Sequence, residues 1–140
     1  MSNRTTQVEV IVFKIINDKI SFLLLKRNEQ RGGFWQPVTG GVEEGESLIE
    51  AVNRELREET GITKYSRIIE NLHYFEFKSE GYGELKEYVF GVEIDSDTAI
   101  KISSEHTEMK WCDLDEALTL LKHDSNKVGF RKISHLMLSE

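Results

Sequence analysis

Apolar and polar residues follow one another in runs that predict strands along most of the chain and helices in three places. Runs of β-branched and apolar residues predict strands over 8–16, 20–25, 35–42, 65–78, 85–94 and 109–112. Asn17 and Asp18 predict a turn between the first two strands, and 79–83 forms a turn-rich connection that makes 65–78 and 85–94 a hairpin. Apolar residues at helical spacing predict helices over 48–60, 113–122 and 126–138. This order of elements favours a single α/β domain, residues 1–140, with a mixed sheet between helices.

The predicted helix 48–60 has carboxylates on the side that faces the core. Each residue advances about 100° around a helix, so the helix has an apolar stripe made of Leu48, Ala51, Val52 and Leu56. Glu55 and Glu59 fall in the middle of this stripe, and Glu58 lies at its edge. Buried carboxylates are costly unless a cation neutralises them. The pattern therefore predicts a site for a divalent metal ion.

Local signals fix both ends of this helix. Ser47 and Glu50 form an S-x-x-E capping box at the N-terminus. Gly61 follows the last periodic residue, where a left-handed residue ends many helices.

Composition and charge limit the classes of function. The chain has 140 residues, one cysteine and no apolar run of the roughly 20 residues that a membrane span needs, and residues 1–6 lack the apolar region of a signal peptide. We therefore expect a cytoplasmic protein without a membrane partner. The formal net charge of −7 disfavours a nucleic-acid partner, because such binding depends on Lys and Arg neutralising phosphates. A small polyphosphate would need divalent cations to approach, although the charge is also explained by solubility alone.

The spacing of glycine, arginine and glutamate over residues 40–62 is a specific motif. Gly40 is followed after five residues by Glu46 and, after seven more, by the run Arg54-Glu55-Leu56-Arg57-Glu58-Glu59-Thr60-Gly61-Ile62. The segment resembles the Nudix box, G-x5-E-x7-R-E-U-x-E-E-x-G-U with U apolar, and fills every defined position. The resemblance implies an α/β/α sandwich around a mixed sheet and hydrolysis of nucleoside diphosphates linked to another group, with Mg²⁺ or Mn²⁺.

The same resemblance implies roles for the residues of the box. Glu55 and Glu59 would be the principal metal ligands, and Glu58 a further ligand or the base that deprotonates water. Arg54 would orient this cluster through an ion pair, and the carbonyl of Gly40 would complete the metal's coordination. Hard cations of this kind take oxygen ligands, which agrees with the carboxylate set. The glutamate at position 46 would stabilise the loop without touching metal.

A second stretch, 34–46, is similar to the dATP and dihydroneopterin triphosphate pyrophosphohydrolases of that family. By this similarity Glu105 would join the metal site from a loop and is an alternative base, while Arg27 and Thr39 would contact substrate. A guanidinium grips phosphate bidentately, which suits Arg27. Trp35 is a candidate for stacking on a base and equally a candidate for the core. The similarity extends to His106, Trp111 and 125–126. His106 would bind phosphate or shape its loop.

The similarity is incomplete, so the substrate stays open. Pro37 replaces a small polar residue of the subgroup, and 63–100 does not match it. The leading hypothesis is a metal-dependent pyrophosphohydrolase that converts a nucleoside triphosphate or close analogue to the monophosphate and pyrophosphate. A diadenosine polyphosphate hydrolase, whose members share a Trp-Gln-x-Pro-like lead-in, is the alternative enzyme. A catalytically silent nucleotide-binding module is the alternative outside enzymes, and an acidic structural domain would leave the carboxylates of the apolar stripe unexplained. Apolar residues in the first strand and last helix would serve the core or a homodimer interface.

Overall fold

The computed structural model describes residues 5–79, 81 and 83–138, apart from the side chain of Arg31. The predicted domain limits and the absence of a signal peptide therefore rest in part on residues 1–4 and 139–140, outside this description. Over the described residues the strands are β1 Thr6–Ile16, β2 Lys19–Arg27, β3 Trp35–Gln36, β4 Val38–Gly41, β5 Arg67–Ser79, β6 Gly83–Glu93 and β7 His106–Cys112. The helices are α1 Leu48–Thr60, α2 Leu114–Leu120 and α3 Asp124–Leu138, with a short 3₁₀ helix at Glu29–Arg31.

The strands form one mixed sheet with β1 at its centre. The order is β3-β2-β1-β6-β5, with β4 paired to β1 and β7 paired to β2. Only the pairing of β1 with β6 is parallel among the described strands. The predicted hairpin is confirmed by the antiparallel pairing of β5 and β6, although residues 80 and 82 of its connection lie outside the description. The predicted turn at Asn17 and Asp18 is also confirmed, since both residues have positive φ, 52° and 64°, as a tight hairpin turn requires.

Helices cover both faces of the sheet, because alternate residues of a strand point to opposite sides. Val8, Val10 and Val12 of β1 pack in the core layer that also holds the apolar residues of α1. Ile11 and Phe13 of the same strand pack in a second layer with residues of α2 and α3. The predicted α/β/α sandwich around a mixed sheet is confirmed. Among the described helices, none combines the length and hydropathy that a bilayer span requires.

The predicted element bounds agree with the structure to within two residues, apart from those of the stretches 35–42 and 109–112. The single strand predicted over 35–42 is two strands, β3 and β4, which pair with β2 and β1 respectively. The break falls at Pro37, which has no N–H to donate to a sheet ladder. Strand β7 begins at His106, before the predicted start at 109. Four of its residues are exposed, so a pattern of apolar residues does not show where the strand begins. Helix α3 begins at Asp124, two residues before the predicted start.

Candidate active site and metal centre

Helix α1 is positioned by its two caps and its apolar side. The Ser47 Oγ accepts the Glu50 N–H at 3.1 Å, and the Glu50 carboxylate accepts the Ser47 N–H at 2.8 Å, which completes the predicted capping box. Gly61 has the left-handed conformation expected after the last turn, and its N–H donates to the carbonyl of Arg57 at 3.0 Å. Of the residues predicted to combine an apolar stripe with two carboxylates, Leu48 is half-buried and the others are buried: Ala51, Val52, Leu56, Glu55 and Glu59.

Arg54 ties the loop before α1 to the carboxylates of the helix. Its guanidinium donates to both oxygens of Glu46, at 2.7 and 2.9 Å, and to the carbonyl of Gly41 at 2.7 Å. It also donates to Glu55 at 2.6 Å and to Glu58 at 3.3 Å. The hydrogen bonds from Arg54 hold the pKa of Glu46 below its usual value. The guanidinium thus fixes the loop and two of the predicted site carboxylates in one network.

Glu55 lies against the backbone of Gly40. A Cβ atom on Gly40 would stand 2.1 Å from the Glu55 carboxyl carbon, so only glycine leaves room for this carboxylate. Burial raises the pKa of Glu55 to about 7, against the lowering effect of Arg54, and the nearby Glu59 and Glu58 raise it further. A carboxylate with these neighbours gains stability from a cation.

Glu59 has an unsatisfied oxygen. Its Oε1 is buried without a hydrogen-bond partner among the described residues. The Nδ1 of His106 lies 3.0 Å away, but the two atoms do not have hydrogen-bonding geometry. The other ring nitrogen of His106 lies 3.4 Å from the side-chain nitrogen of Gln36. His106 is therefore buried beside the carboxylate cluster, and the Glu59 oxygen retains a free acceptor position.

Glu105 lies on the loop that packs against the end of α1. The Ser103 N–H donates to the Glu59 carbonyl at 3.2 Å, and the Lys101 N–H donates to the Thr60 carbonyl at 2.9 Å. Glu105 follows this attachment directly and is partly buried. The loop thus brings Glu105 to the same end of α1 as Glu59.

The donor set fits a hard divalent cation, although the side chains are not gathered around one point. Its predicted members supply oxygen: Glu55, Glu58, Glu59, Glu105 and the carbonyl of Gly40. Such ligands match Mg²⁺, which usually binds through one or two carboxylates plus substrate phosphates. Within the described part of the chain, no three histidine, cysteine or carboxylate side chains converge closely enough to hold an ion. The unsatisfied Glu59 oxygen and the Gly40 cradle are the two observations that support the fit.

A cleft of about 570 Å³ lies on the α3 side of the sheet, and no carboxylate of α1 is among its lining residues. Two of the predicted substrate residues, Arg27 and Thr39, line it. Thr39 directly precedes Gly40, and Arg27 is paired across the sheet with His106, the neighbour of Glu59. The Arg27 Nε is buried and lacks a hydrogen-bond partner among the described residues, so it retains a donor for an anion.

Trp35 is placed differently from Arg27 and Thr39. It is half-buried, packs against the core layer of α2 and α3 and bridges to Leu121, and it does not line the cleft. Its neighbour Phe34 lines the cleft instead, because successive residues of an extended chain point to opposite sides. The structure therefore favours Phe34 over Trp35 as an aromatic surface for substrate.

Three polar residues of the cleft region did not emerge from the sequence as site candidates. Glu9 and Glu87 are buried, and Asn126 donates to Glu9 at 2.6 Å. Glu87 and Asn126 line the cleft. A signal existed for the two acids: Glu9 interrupts an apolar run, and Glu87 alternates with the apolar Leu85 and Val89.

Known proteins are similar to this chain over most of its length. The NUDIX domain model matches residues 5–132. A Caenorhabditis elegans bis(5′-nucleosyl)-tetraphosphatase (asymmetrical) is 30% identical over 127 residues, which cover 89% of this chain and 91% of the relative. The solved structure of an Escherichia coli dihydroneopterin triphosphate pyrophosphohydrolase has a TM-score of 0.78 and 28% identity, with 92% and 94% of the two chains covered.

A third relative is a longer protein. A Myxococcus xanthus octanoyltransferase is 35% identical over 115 residues, which are 81% of this chain and 32% of the relative. The chain thus spans about a third of that relative's length. The domain match covers most of the chain, and Nudix hydrolases generally need divalent metal ions. The chain belongs to the Nudix family and is a hydrolase that acts on phosphorus-containing anhydrides.

Proposed function

We propose that the chain is a nucleoside triphosphate pyrophosphohydrolase with a substrate like dATP or dihydroneopterin triphosphate. Attack of water on phosphorus gives the monophosphate and pyrophosphate. The observation that carries this proposal is the link between the cleft and α1, because Thr39 lines the cleft and the next residue, Gly40, is packed against Glu55 of α1. A polyphosphate held between them has cationic and hydroxyl donors on one side and metal-binding oxygens on the other.

The metal would be Mg²⁺ or Mn²⁺, held by Glu55 and Glu59 with Glu58, Glu105 and the Gly40 carbonyl as further ligands. When bound, such an ion neutralises phosphate charge and lowers the pKa of its water. The buried Glu59 oxygen without a partner and the Gly40–Glu55 contact support this assignment.

The chain's own residues bind and orient the reactants. Arg54 holds Glu55 and Glu58 in place through its hydrogen bonds. Arg27 would donate to a phosphate from its buried Nε, and Thr39 would donate its hydroxyl. Either Glu58 or Glu105 would take the proton of the attacking water. Glu58 is exposed whereas the other two candidate ligands on the helix, Glu55 and Glu59, are buried, which leaves Glu58 free to move toward water.

A diadenosine polyphosphate hydrolase is the second candidate, favoured by the C. elegans relative and by the Trp35-Gln36-Pro37 lead-in. A screen of dATP, dGTP, dihydroneopterin triphosphate and diadenosine tetraphosphate with Mg²⁺ separates the two. The proposed activity releases pyrophosphate from a triphosphate, whereas the second candidate releases ATP from the dinucleotide. Cleavage of none of these compounds would favour a binding module without catalysis.

Metal binding is tested separately from turnover. Mn²⁺ is expected to raise the melting temperature of the wild-type protein, because an ion that binds only the folded state stabilises it. Glu59→Gln should reduce this shift. The matched control is Glu44→Gln, which makes the same change at an exposed position of the loop before α1. An equal shift in wild type and Glu59→Gln would contradict the assigned ligand.

A further inference from the structure

Two carboxyl groups meet beneath the cleft without a cation between them. Glu9 on β1 and Glu87 on β6 are buried to 0% and 3% exposure. The two strands are parallel neighbours, with Gln7 opposite Glu87 and Glu9 opposite Val89. Neither carboxyl group pairs with a lysine or arginine within the described part of the chain.

The two carboxyl groups lie close enough to share a proton. The Glu9 Oε2 is buried and accepts from no donor of the described residues, so the carboxyl group of Glu87 is the neighbour that could hydrogen-bond it. Two carboxyl groups can hydrogen-bond only if one carries a proton. Burial raises the pKa of Glu87 to about 7, and burial together with the charge of Glu87 raises the pKa of Glu9 well above its usual value. Both pKa shifts favour a pair that retains one proton between its two carboxyl groups.

Helix α3 fixes the orientation of the pair. A Cβ on Gly129 would stand 2.6 Å from the Cδ1 of Ile11 and 2.9 Å from the Cγ1 of Val89, so the helix packs closely on the sheet at this glycine. One turn earlier, the Asn126 side-chain amide donates to the Glu9 Oε1 at 2.6 Å. With one Glu9 oxygen held by Asn126 and the other by the shared proton, the Glu87 carboxyl group is the member that lines the cleft.

Burying two carboxyl groups together destabilises the folded state, so a role in folding does not explain why the pair is present. Apolar residues of similar volume usually replace buried ionic groups without loss of stability. The neighbouring wall of the cleft is aromatic, with Phe34, Phe75 and Phe77. A hydrogen-bond acceptor such as the Glu87 carboxyl group, placed beside aromatic side chains, is suited to bind a flat ring with polar edges.

We propose that Glu87, held by Glu9 and Asn126, is the specificity determinant of the cleft and accepts hydrogen bonds from a ring N–H and an adjacent exocyclic amino group. The 2-amino-4-oxo edge of guanine or of a pterin presents this pair of donors. The adenine edge presents an acceptor beside its amino group, so it faces one of these oxygens with a lone pair. This inference rests on the proposed function and narrows its substrate to a 2-amino-4-oxo heterocycle.

The test compares dGMP with dIMP, which differ only in the 2-amino group. Both are titrated into the full chain in EDTA by calorimetry or NMR, so that binding depends on neither metal nor turnover. The wild type should bind dGMP at least about tenfold more tightly, the lower end of the usual discrimination by a bidentate contact. Glu87→Met removes both oxygens at similar volume and should abolish the difference. Glu87→Gln keeps one acceptor and should give an intermediate ratio.

Two further variants keep the test decisive. Glu84→Gln, an exposed position on the same strand, should retain the wild-type ratio. Asn126→Ala releases Glu9 and should lower the ratio, which supplies a second measurement if Glu87→Met does not fold. Equal binding of dGMP and dIMP by the wild type, no measurable dGMP binding, or an unchanged ratio in both Glu87→Gln and Asn126→Ala would overturn the proposal. Triphosphate cleavage without discrimination would leave the proposed function standing, whereas discrimination without cleavage would remove the proposed function alone.

Discussion

At the scale of single residues, the candidate active site depends on carboxylates that the fold buries. Glu59 has an oxygen without a partner, and Glu58 is linked to the cluster by one 3.3 Å hydrogen bond to Arg54. Glu58→Gln and Glu59→Gln are each expected to lower kcat by at least about a hundredfold, the scale of a lost acid–base or metal contribution. Both proteins should fold, since removing a charge relieves repulsion within the cluster. Pyrophosphate release with Mg²⁺ measures kcat, with Glu44→Gln as the control. Wild-type activity in Glu59→Gln would contradict the assignment.

The contact between Gly40 and Glu55 gives a second prediction. Gly40→Ala places a methyl group where the Glu55 carboxylate now lies, so the carboxylate must move. Gly40 is not one of the described glycines that have a positive φ, so alanine can adopt its backbone conformation. We expect a folded protein whose kcat is at least about tenfold lower, because small displacements of catalytic groups are costly. Circular dichroism verifies the fold. An unchanged kcat would show that this carboxylate position is not needed for catalysis.

The burial of some residues can be predicted from the local sequence, whereas the contacts of others depend on how distant strands pair. The burial of Glu55 and Glu59 follows from helical periodicity, which depends only on neighbours within one short helix. The pairing of Glu9 with Glu87 depends on the parallel contact of β1 and β6, which no local pattern encodes. Trp35 shows a third case, because the side of the sheet that it faces depends on the register of β3 against β2.

At the scale of elements, the sequence signals that define α1 lie within the helix or directly beside it. Its capping box and C-terminal glycine lie within the same segment as its carboxylates. Ser47→Ala removes the acceptor for the Glu50 N–H and is expected to lower the free energy of unfolding by about 1 kcal/mol. Urea denaturation measures this change, and Ser96→Ala, an exposed serine in a loop, is the matched control. Equal stability of the two variants would mean that the cap contributes little.

The sheet was predictable in its strands and less so in their partners. Apolar runs predicted β1, β2, β5 and β6, although β5 has one buried residue, Leu72, whereas β1 and β6 each have six. The division of 35–42 into β3 and β4 was missed, because a pattern of apolar residues does not show that the chain changes neighbours at Pro37. That division matters for the site, since it sends Gly40 toward α1 while Gln36 stays beside His106.

At the scale of the whole molecule, buried acids make stability depend on pH. Burial raises the pKa of Glu87 and of Glu55 to about 7, and the pKa of Glu9 is raised well above its usual value. Because these pKa values exceed those of the unfolded chain, the folded state binds protons more tightly. Their contribution to stability is present below about pH 4.5, the usual value of the carboxyl group. It is lost as the pH rises through about 7.

This sign leads to a prediction for the acid pair. The melting temperature of the wild type should fall between pH 5 and pH 8, and Glu87→Met should show a smaller fall because one of the raised carboxyl groups is gone. The other charged or titratable groups that line the cleft beside Glu87 are Arg27, Lys78 and His123, and they are unchanged in this variant. Glu84→Gln, exposed on the same strand, should retain the wild-type pH dependence. Scanning calorimetry at both pH values makes the measurement. If Glu87→Met lost as much stability as the wild type between these pH values, Glu87 would already be ionised in the folded protein at pH 5. That outcome would contradict the raised pKa of Glu87, and with it the assignment of Glu87 as a partner in a proton-sharing pair beneath the cleft.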